Sequence, residues 1–221
     1  MPFKRDGAFF VFLGHVASFI IINLLFIVCC IPIITAGPAL CALHHSMMKL
    51  YKKEPIHPFF EFFRSFKNNL KQGCIIQAIV LVISIFLFLD LRYTIAAFGS
   101  NRIAQIASIF FMMIAFVFLL MLTLLYPIQA QFSNTLKDTF KNALLLSLSH
   151  LPFCFIMMLL NLLPVILLMI WLNGFLFMLP FYIFIGFSVT SFLNCFFIKK
   201  IFQPYMPEEP VLEEDSIIEE K

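Results

Sequence analysis

Residues 142–198 decide the fold, and they read NALLLSLSHLPFCFIMMLLNLLPVILLMIWLNGFLFMLPFYIFIGFSVTSFLNCFFI. This run of 57 residues contains no Asp, Glu, Lys or Arg. A helix needs about 20 apolar residues to cross the hydrocarbon of a bilayer, so the run fits two helices joined by a tight turn. The expected turn is Asn173-Gly174, because both residues tolerate a positive φ. Trp171, the only tryptophan, would then lie at a membrane–water interface, where its amphipathic ring is favoured.

The composition of the whole chain extends this argument. Of its 221 residues, 62% are hydrophobic and 12% are charged, and the mean hydropathy is +1.00. Soluble domains have about 45–50% apolar and about 25% charged residues. So large an apolar excess would leave aggregating patches on a water-soluble surface. The composition therefore excludes a soluble globular enzyme, a disordered chain and a nucleic-acid-binding protein, and it indicates a multi-pass membrane protein.

Three further uncharged runs, Gly7–Met48, Gln72–Leu89 and Ile103–Leu136, locate the remaining spans. We predict an all-α polytopic membrane protein with five transmembrane helices in a single domain, residues 1–200. The predicted spans lie at about 9–35, 74–96, 103–128, 146–171 and 175–198. A six-span alternative, in which Gly37-Pro38 breaks the first run, stays open.

Lys and Arg predict the orientation of these spans. In the five-span arrangement eleven of them fall on one side of the membrane and four on the other. Cytoplasmic loops carry the excess of Lys and Arg, which predicts an outer N-terminus and a cytoplasmic C-terminus in the cell membrane. Residues 201–221 hold seven acidic residues and one lysine, and they are predicted to form a disordered cytoplasmic tail. The alternative for this tail is a contact with a basic partner surface.

Two linkers are basic and amphipathic. In residues 57–73, Phe59, Phe62 and Phe66 recur with helical spacing, which predicts a cytoplasmic helix lying in the inner interface of the bilayer. A weaker copy follows in residues 131–144. The copy suggests an internal repeat, although any basic linker between two spans would look similar. The cations expected to bind anionic headgroups are Arg64, Lys67, Lys71, Lys137 and Lys141.

The sequence contains no HExxH, no GxSxG and no Gly-rich phosphate loop, so we predict neither an enzyme nor a cofactor. Asn23 and Asn161 lie within predicted spans, where amides usually hydrogen-bond to a neighbouring helix. Asn161 precedes Pro164, and a kinked helix there would line a cavity or simply pack. Asp90 is costly in a span; it is either an anchor near the outer interface or a substrate or proton site.

Gly37 and Pro38 are expected to end the first span and to start a helix over about 38–52. The two residues form either a hinge or a simple elbow. On this helix Cys41, His44 and His45, together with Met48, share one face and suit a soft metal. No second cluster supplies further ligands, so no metal site is predicted.

Several stretches resemble the YesL-like family. They include Asn23-Leu24-Leu25-Phe26, Ile31-Pro32, Gly37-Pro38-Ala39-Leu40, Phe62-Phe63-Arg64-Ser65-Phe66-Lys67, Asp90, Tyr126-Pro127, Lys141-Asn142-Ala143-Leu144-Leu145 and His150-Leu151-Pro152. The resemblance covers most of the chain up to about Lys200. It implies a bacterial integral membrane protein, mostly of Gram-positive lineages, loosely associated with carbohydrate uptake and utilisation. It brings no catalytic or binding residues. The chain departs from the family pattern at His44-His45, where aromatic residues are more usual.

Two functions follow as hypotheses. The first is a non-enzymatic accessory or regulatory component linked to carbohydrate uptake, with the lipid bilayer, transporter subunits or a second copy as partners. The second is a small transporter in its own right, with Asp90 and Asn161 lining the path. No nucleic acid is expected as a partner.

Overall fold

The computed structural model describes residues 8–96 and 102–205, and within these ranges the elements are helical and no strand occurs. The predicted all-α class is confirmed. The α-helices are α1 Ala8–Cys30, α2 Ala36–Tyr51, α3 Pro58–Ala96, α4 Arg102–Gln131, α5 Leu136–Ser149, α6 Leu151–Ile170, α7 Leu172–Phe181 and α8 Phe187–Phe202. Short 3₁₀ turns cover Ile33–Thr35 and Gln203–Tyr205, and a π-helical turn, Tyr182–Gly186, joins α7 to α8.

Five helical stretches in the described ranges are long and apolar enough to cross a membrane, as predicted. They are Leu13–Cys30, Pro58–Thr94, Gln105–Gln131, Leu151–Ile170 and Asn173–Tyr205. At most a third of the most apolar window of each stretch is buried inside the protein. Most of their apolar side chains therefore point outward, as contact with lipid requires.

Helix α2 is the central helix of the bundle, although it is not one of these five stretches. It packs against α1, α3, α4 and α8, and 11 of its 16 residues are buried. The helix predicted over about 38–52 is confirmed. With 16 residues α2 is shorter than each of the five candidate spans, and His44, His45 and Ser46 lower its hydropathy further. The surrounding helices shield these polar side chains from lipid.

Helices α1 and α2 form an antiparallel hairpin. The Phe26 ring lies 5.3 Å from Phe187, and the Phe19 ring lies 5.2 Å from Phe192, so α1 runs antiparallel to α8. The Tyr51 ring, at the end of α2, lies 5.6 Å from the same Phe192 ring. The end of α2 therefore lies beside the first half of α1.

This hairpin brings the start of α1 and the end of α8 to the same end of the bundle. We call it the basic end; α1, α3 and α5 begin there and α2, α4 and α8 end there. The five-span prediction placed the two ends of the chain on opposite sides of the membrane and the six-span alternative placed them on the same side; here the start of α1 and the end of α8 lie at the same end of the bundle. The difference arises because the chain breaks at Ile33–Thr35 and α2 returns it. The side of a membrane that the basic end faces stays a prediction.

Helix α3 runs without interruption through Pro58–Ala96, so residues 57–73 do not form a separate helix in the plane of an interface. Phe62 is fully buried, and its ring stacks on Phe66 at 6.4 Å. Phe62 lies in the protein core and the partly buried Phe66 packs against it, whereas the prediction placed both rings in lipid. The second amphipathic segment does form a separate helix, α5, whose first turn is capped by the Thr135 side chain.

The last two predicted spans are separated at Trp171, the residue that directly follows α6. Helix α6 ends at Ile170 and α7 begins at Leu172, so Trp171 alone forms the break, and it is 63% exposed. Asn173 and Gly174 lie inside the first turn of α7, and no glycine in the described ranges has a positive φ. The predicted turn at these two residues is therefore wrong. Of the predicted tail, residues 206–221 lie outside the described residues.

Candidate functional site: a polar cleft

An open cleft of about 510 Å³ lies at the basic end, between α2, the first half of α3 and the end of α4. Its walls are polar except for Ala130 and Phe132. The lining residues are His45, Lys49, Glu61, Arg64, Ser65, Asn68, Asn69, Gln72, Gln129, Ala130, Gln131, Phe132 and Ser133. The cleft borders the core helix α2, its lining is mostly polar, and its volume lies within the usual range for small-molecule sites, so it is the candidate functional site.

One face of α3 supplies most of the wall. Glu61, Arg64 and Asn68, followed by Gln72, recur every three or four residues, which places them in one row along a helix. The row begins with charged side chains and continues with amides. The cleft therefore has a charged part near the start of α3 and an amide part further along the helix.

The charged part contains a salt bridge. The Lys49 ammonium lies 2.9 Å from a Glu61 carboxylate oxygen, and Nε2 of His45 lies 3.9 Å from the same oxygen. Burial, together with the Lys49 charge, lowers the pKa of His45, and these effects outweigh the opposite influence of Glu61. His45 is therefore neutral at pH 7, and the Lys49–Glu61 pair carries no net charge.

The amide part is held by hydrogen bonds between three helices. Gln129 on α4 donates to Oδ1 of Asn69 on α3 over 3.4 Å, and the Thr139 hydroxyl on α5 donates to Oε1 of Gln129 over 3.3 Å. Gln72 donates to the backbone carbonyl of Asn134 over 2.8 Å. These bonds fix the back wall of the cleft, because each one joins two different elements.

Three lining side chains are left for a ligand. Arg64, Asn68 and Gln131 make no side-chain hydrogen bond within residues 8–96 and 102–205, and the first two are exposed. A guanidinium offers five donors, and a primary amide offers two donors and an acceptor oxygen. The cleft can therefore bind hydroxyl groups and an anionic group together.

A second cavity, of about 60 Å³, lies deeper in the bundle beside α2, α6 and α8. The His44 ring nitrogen Nδ1 lies 3.0 Å from the Ser191 hydroxyl, and Asn194 donates to Oδ1 of Asn161 over 2.9 Å. Burial lowers the pKa of His44 to about 4, so this ring is neutral at pH 7. The cavity is much smaller than the roughly 300–1,000 Å³ of ordinary small-molecule sites.

Asn23 joins α1 to the π-helical turn of the last span. Its amide nitrogen donates to the carbonyls of Tyr182 and Ile183 over 3.1 and 2.7 Å, and its Oδ1 accepts from the Ser188 backbone N–H over 3.0 Å. A π-turn displaces backbone groups from the ordinary helical pattern. Asn23 satisfies three of those groups, which is the bond between helices that the sequence suggested.

Gly37 and Pro38 lie in the first turn of α2 and pack against Gly73 of α3. A Cβ atom on Gly37 would lie 2.5 Å from the Gly73 carbonyl oxygen, so the two backbones touch. Gly37 and Pro38 allow α2 and α3 to approach closely, and the break between α1 and α2 lies just before them. Asp90, in the second half of α3, lines neither cavity, and its buried Oδ2 atom has no hydrogen-bond partner among the described residues.

Two groups of residues that the sequence suggested, the five cations and the helix face with His44 and His45, do not stay together in the structure. Of the five cations predicted to bind headgroups, only Arg64 lines the cleft; the other four are exposed outside it. His44 contacts α8, whereas His45 faces Glu61 on α3, so the two rings diverge. Cys41 and Met48 are buried in the core.

The sequence-based prediction missed the amide part of the cleft. Gln129 and Gln131 interrupt an otherwise apolar run, and Asn68-Asn69 and Gln72 follow each other on one helical face. Those two signals could have been noticed separately. The proximity of these amides in the folded protein could not be predicted, because it depends on how α3 crosses α4.

The comparisons with known proteins concern the part of the chain that builds most of this site. The model of a family described as "Protein of unknown function, DUF624" matches residues 19–91, which run from α1 through α2 into the second half of α3. No curated protein and no solved structure matches the chain. The matched part of the chain therefore resembles that family.

Proposed function

We propose that this chain is a non-enzymatic, multi-pass membrane protein that binds a small polyhydroxylated solute in the polar cleft. In this proposal it serves as an accessory or regulatory component of carbohydrate uptake. The cleft carries the proposal: its volume of about 510 Å³ lies within the usual range for small-molecule sites, and its walls are polar. The resemblance to the YesL-like family, with which the match over residues 19–91 is compatible, supports the link to carbohydrates.

The chemistry of the walls suits sugar hydroxyls. Each hydroxyl is both a donor and an acceptor, and each amide side chain offers both functions in return. Asn68 and Gln131 have these groups free, while Asn69, Gln72 and Gln129 are held in place by the bonds described above. A ligand would therefore meet walls that are already arranged and would not have to order them.

We propose further that the basic end faces the cytoplasm, with both described ends of the chain on that side. Among the described residues, the only lysines or arginines at the opposite end of the bundle are Arg92 and Arg102. Those at the basic end are Lys49, Lys52, Lys53, Arg64, Lys67, Lys71, Lys137, Lys141, Lys199 and Lys200. The positive-inside rule supports this orientation more strongly than it supported the outer N-terminus of the five-span prediction.

Calorimetric titration of the protein in detergent with a panel of mono- and disaccharides tests the binding proposal. Gln131→Ala should weaken binding of a sugar that the native protein binds, because it removes an amide from the cleft. Gln203→Ala is the matched control, since Gln203 is exposed outside the cleft. The proposal is wrong if no sugar of the panel binds to protein that remains monodisperse and folded.

A second function, transport by this chain alone, is favoured by one observation. The last span is interrupted by the π-turn Tyr182–Gly186 next to the small cavity with His44 and Asn161, and broken helices often bind substrates in transporters. Sugar uptake into liposomes that contain only this protein would support it. Uptake that Asp90→Asn leaves unchanged would exclude Asp90 from the path, and uptake that requires co-purified subunits would favour the accessory function.

A further inference from the structure

We propose that the ligand of the polar cleft carries a phosphate group on its polyhydroxylated skeleton, and that Arg64 binds this phosphate. The inference rests on the proposed function and narrows it to one class of ligand. The cleft carries a charged part and an amide part along the same helix, and a phosphorylated polyol has the same division between an anionic group and hydroxyls.

The charge balance singles out Arg64. Four charged or titratable side chains line the cleft: His45, Lys49, Glu61 and Arg64. Lys49 and Glu61 neutralise each other at 2.9 Å, and the partly buried imidazole of His45 is uncharged at neutral pH. The cleft therefore retains one net positive charge, which belongs to Arg64.

The chemistry of Arg64 suits phosphate. A guanidinium presents a planar fork of donors that matches two phosphate oxygens, and such bidentate, charge-assisted pairs are stronger than neutral hydrogen bonds. Arg64 is exposed at the cleft and forms no hydrogen bond or salt bridge in the described part of the chain. Its charge acts on the nearby Glu61 carboxylate, but it can accept an anion without first breaking a hydrogen bond or a salt bridge.

The spacing along α3 places the hydroxyl-binding groups at a suitable distance. Asn68 lies one turn beyond Arg64 and Gln72 lies two turns beyond it, about 12 Å at the rise of an α-helix. A phosphate at Arg64 would therefore direct the rest of the ligand toward Asn68 and across to Gln131 on α4. A neutral sugar would leave the Arg64 charge unused.

The same chemistry occurs in two sources: a soluble sugar phosphate, and the glycerol phosphate headgroup of an anionic lipid. The experiment separates them. Binding of glucose, glucose 6-phosphate and inorganic phosphate is measured by calorimetry on the full chain in detergent. Competition is then measured in nanodiscs that contain either phosphatidylcholine alone or phosphatidylcholine with phosphatidylglycerol.

Arg64→Gln and Lys67→Gln form a matched pair, because each removes one exposed cation from α3 and only Arg64 lines the cleft. We expect glucose 6-phosphate to bind at least tenfold more tightly than glucose. We expect Arg64→Gln to remove that difference and Lys67→Gln to retain it. Monodisperse elution on size exclusion shows that both variants are folded.

The outcomes are distinct. Equal affinities for glucose and its phosphate, unaffected by Arg64→Gln, would overturn this inference and leave the proposed function standing. Loss of glucose 6-phosphate binding in nanodiscs with phosphatidylglycerol, but not in phosphatidylcholine, would support the phosphate class and assign it to the lipid. Equal effects of the two substitutions would show a nonspecific charge effect and overturn the role of Arg64. Binding of none of the three ligands, with no lipid effect, would overturn both proposals.

Discussion

Replacing Gly37 with alanine should lower the stability of the helix bundle more than an ordinary surface substitution would. The new Cβ atom would lie 2.5 Å from the carbonyl oxygen of Gly73 and 2.9 Å from Cβ of Gln77. Carbon and oxygen atoms of neighbouring backbones approach to about 3.3–3.6 Å at the closest. Because the obstructing oxygen belongs to a backbone, α2 and α3 would have to separate by roughly 1 Å.

The expected magnitude combines two opposing effects. Overpacking of a close contact costs about 1–3 kcal/mol, and the severity of this contact favours the upper part of that range. Exchange of glycine for alanine within a helix recovers up to about 1 kcal/mol. The net loss in the free energy of unfolding is therefore about 2 kcal/mol, which lowers Tm by about 4–8 °C for a chain of this size.

Two matched glycines make the measurement interpretable. A Cβ atom on Gly14 would meet nothing within 4 Å, so Gly14→Ala should leave Tm unchanged or raise it slightly. A Cβ atom on Gly73 would lie 3.0–3.1 Å from atoms of Pro38, a milder conflict that predicts an intermediate loss. Thermal unfolding in detergent, followed by size-exclusion fluorescence, gives the ranking. If Gly37→Ala is as stable as Gly14→Ala, the close approach of α2 and α3 is refuted.

Three further predictions concern other parts of the bundle. Asn23→Leu should lower Tm by several degrees, because the carbonyls of the π-turn and one backbone N–H lose their partner at about 1–3 kcal/mol in total; an unchanged Tm would mean that water replaces this side chain. In a cysteine-free background, a maleimide that cannot cross membranes should label Lys53→Cys only after permeabilisation and Ile33→Cys from neither side. Labelling of Lys53→Cys from outside would refute the orientation, and labelling of Ile33→Cys would place the hairpin turn in water. Acidification from pH 7 to pH 5 should lower Tm, because unfolded His44 takes up a proton near pH 6.5 whereas the folded protein takes it up only near pH 4. The resulting loss in the free energy of unfolding is about 2 kcal/mol at pH 5. His44→Gln should make the dependence of Tm on pH flatter. An identical dependence in that variant would assign the acid sensitivity to other groups.

The five apolar helices could be predicted from the sequence because hydrophobic length is a local property. The runs around Leu13–Cys30 and Leu151–Ile170 need no partner to be recognised as long enough for a bilayer. The amide of Asn23 was also interpretable, because a buried amide in an apolar environment requires a partner on another helix. These inferences depend on each segment alone.

Helix α2 could not be predicted as the centre of the bundle on the same grounds. Its histidines and Ser46 argue against contact with lipid, yet α1, α3, α4 and α8 cover it and remove that contact. Hydropathy cannot distinguish a helix excluded from the membrane from one enclosed by other helices. The same limitation explains the error over Phe62, which faces protein.

Helix α3 connects the two regions that the sequence suggested were separate. Its first half forms the wall of the cleft and its second half is apolar enough to lie in lipid, and no break separates them. A ligand that draws Arg64 toward α4 would act on a helix that continues for more than twenty residues toward the opposite end of the bundle. The contact between Gly37 and Gly73 lies where these halves meet, and there the backbones of α2 and α3 touch. Under the proposed function, a ligand bound in the cleft would contact a helix that also runs through the apolar part of the bundle, which gives ligand binding a direct route to the position of that helix.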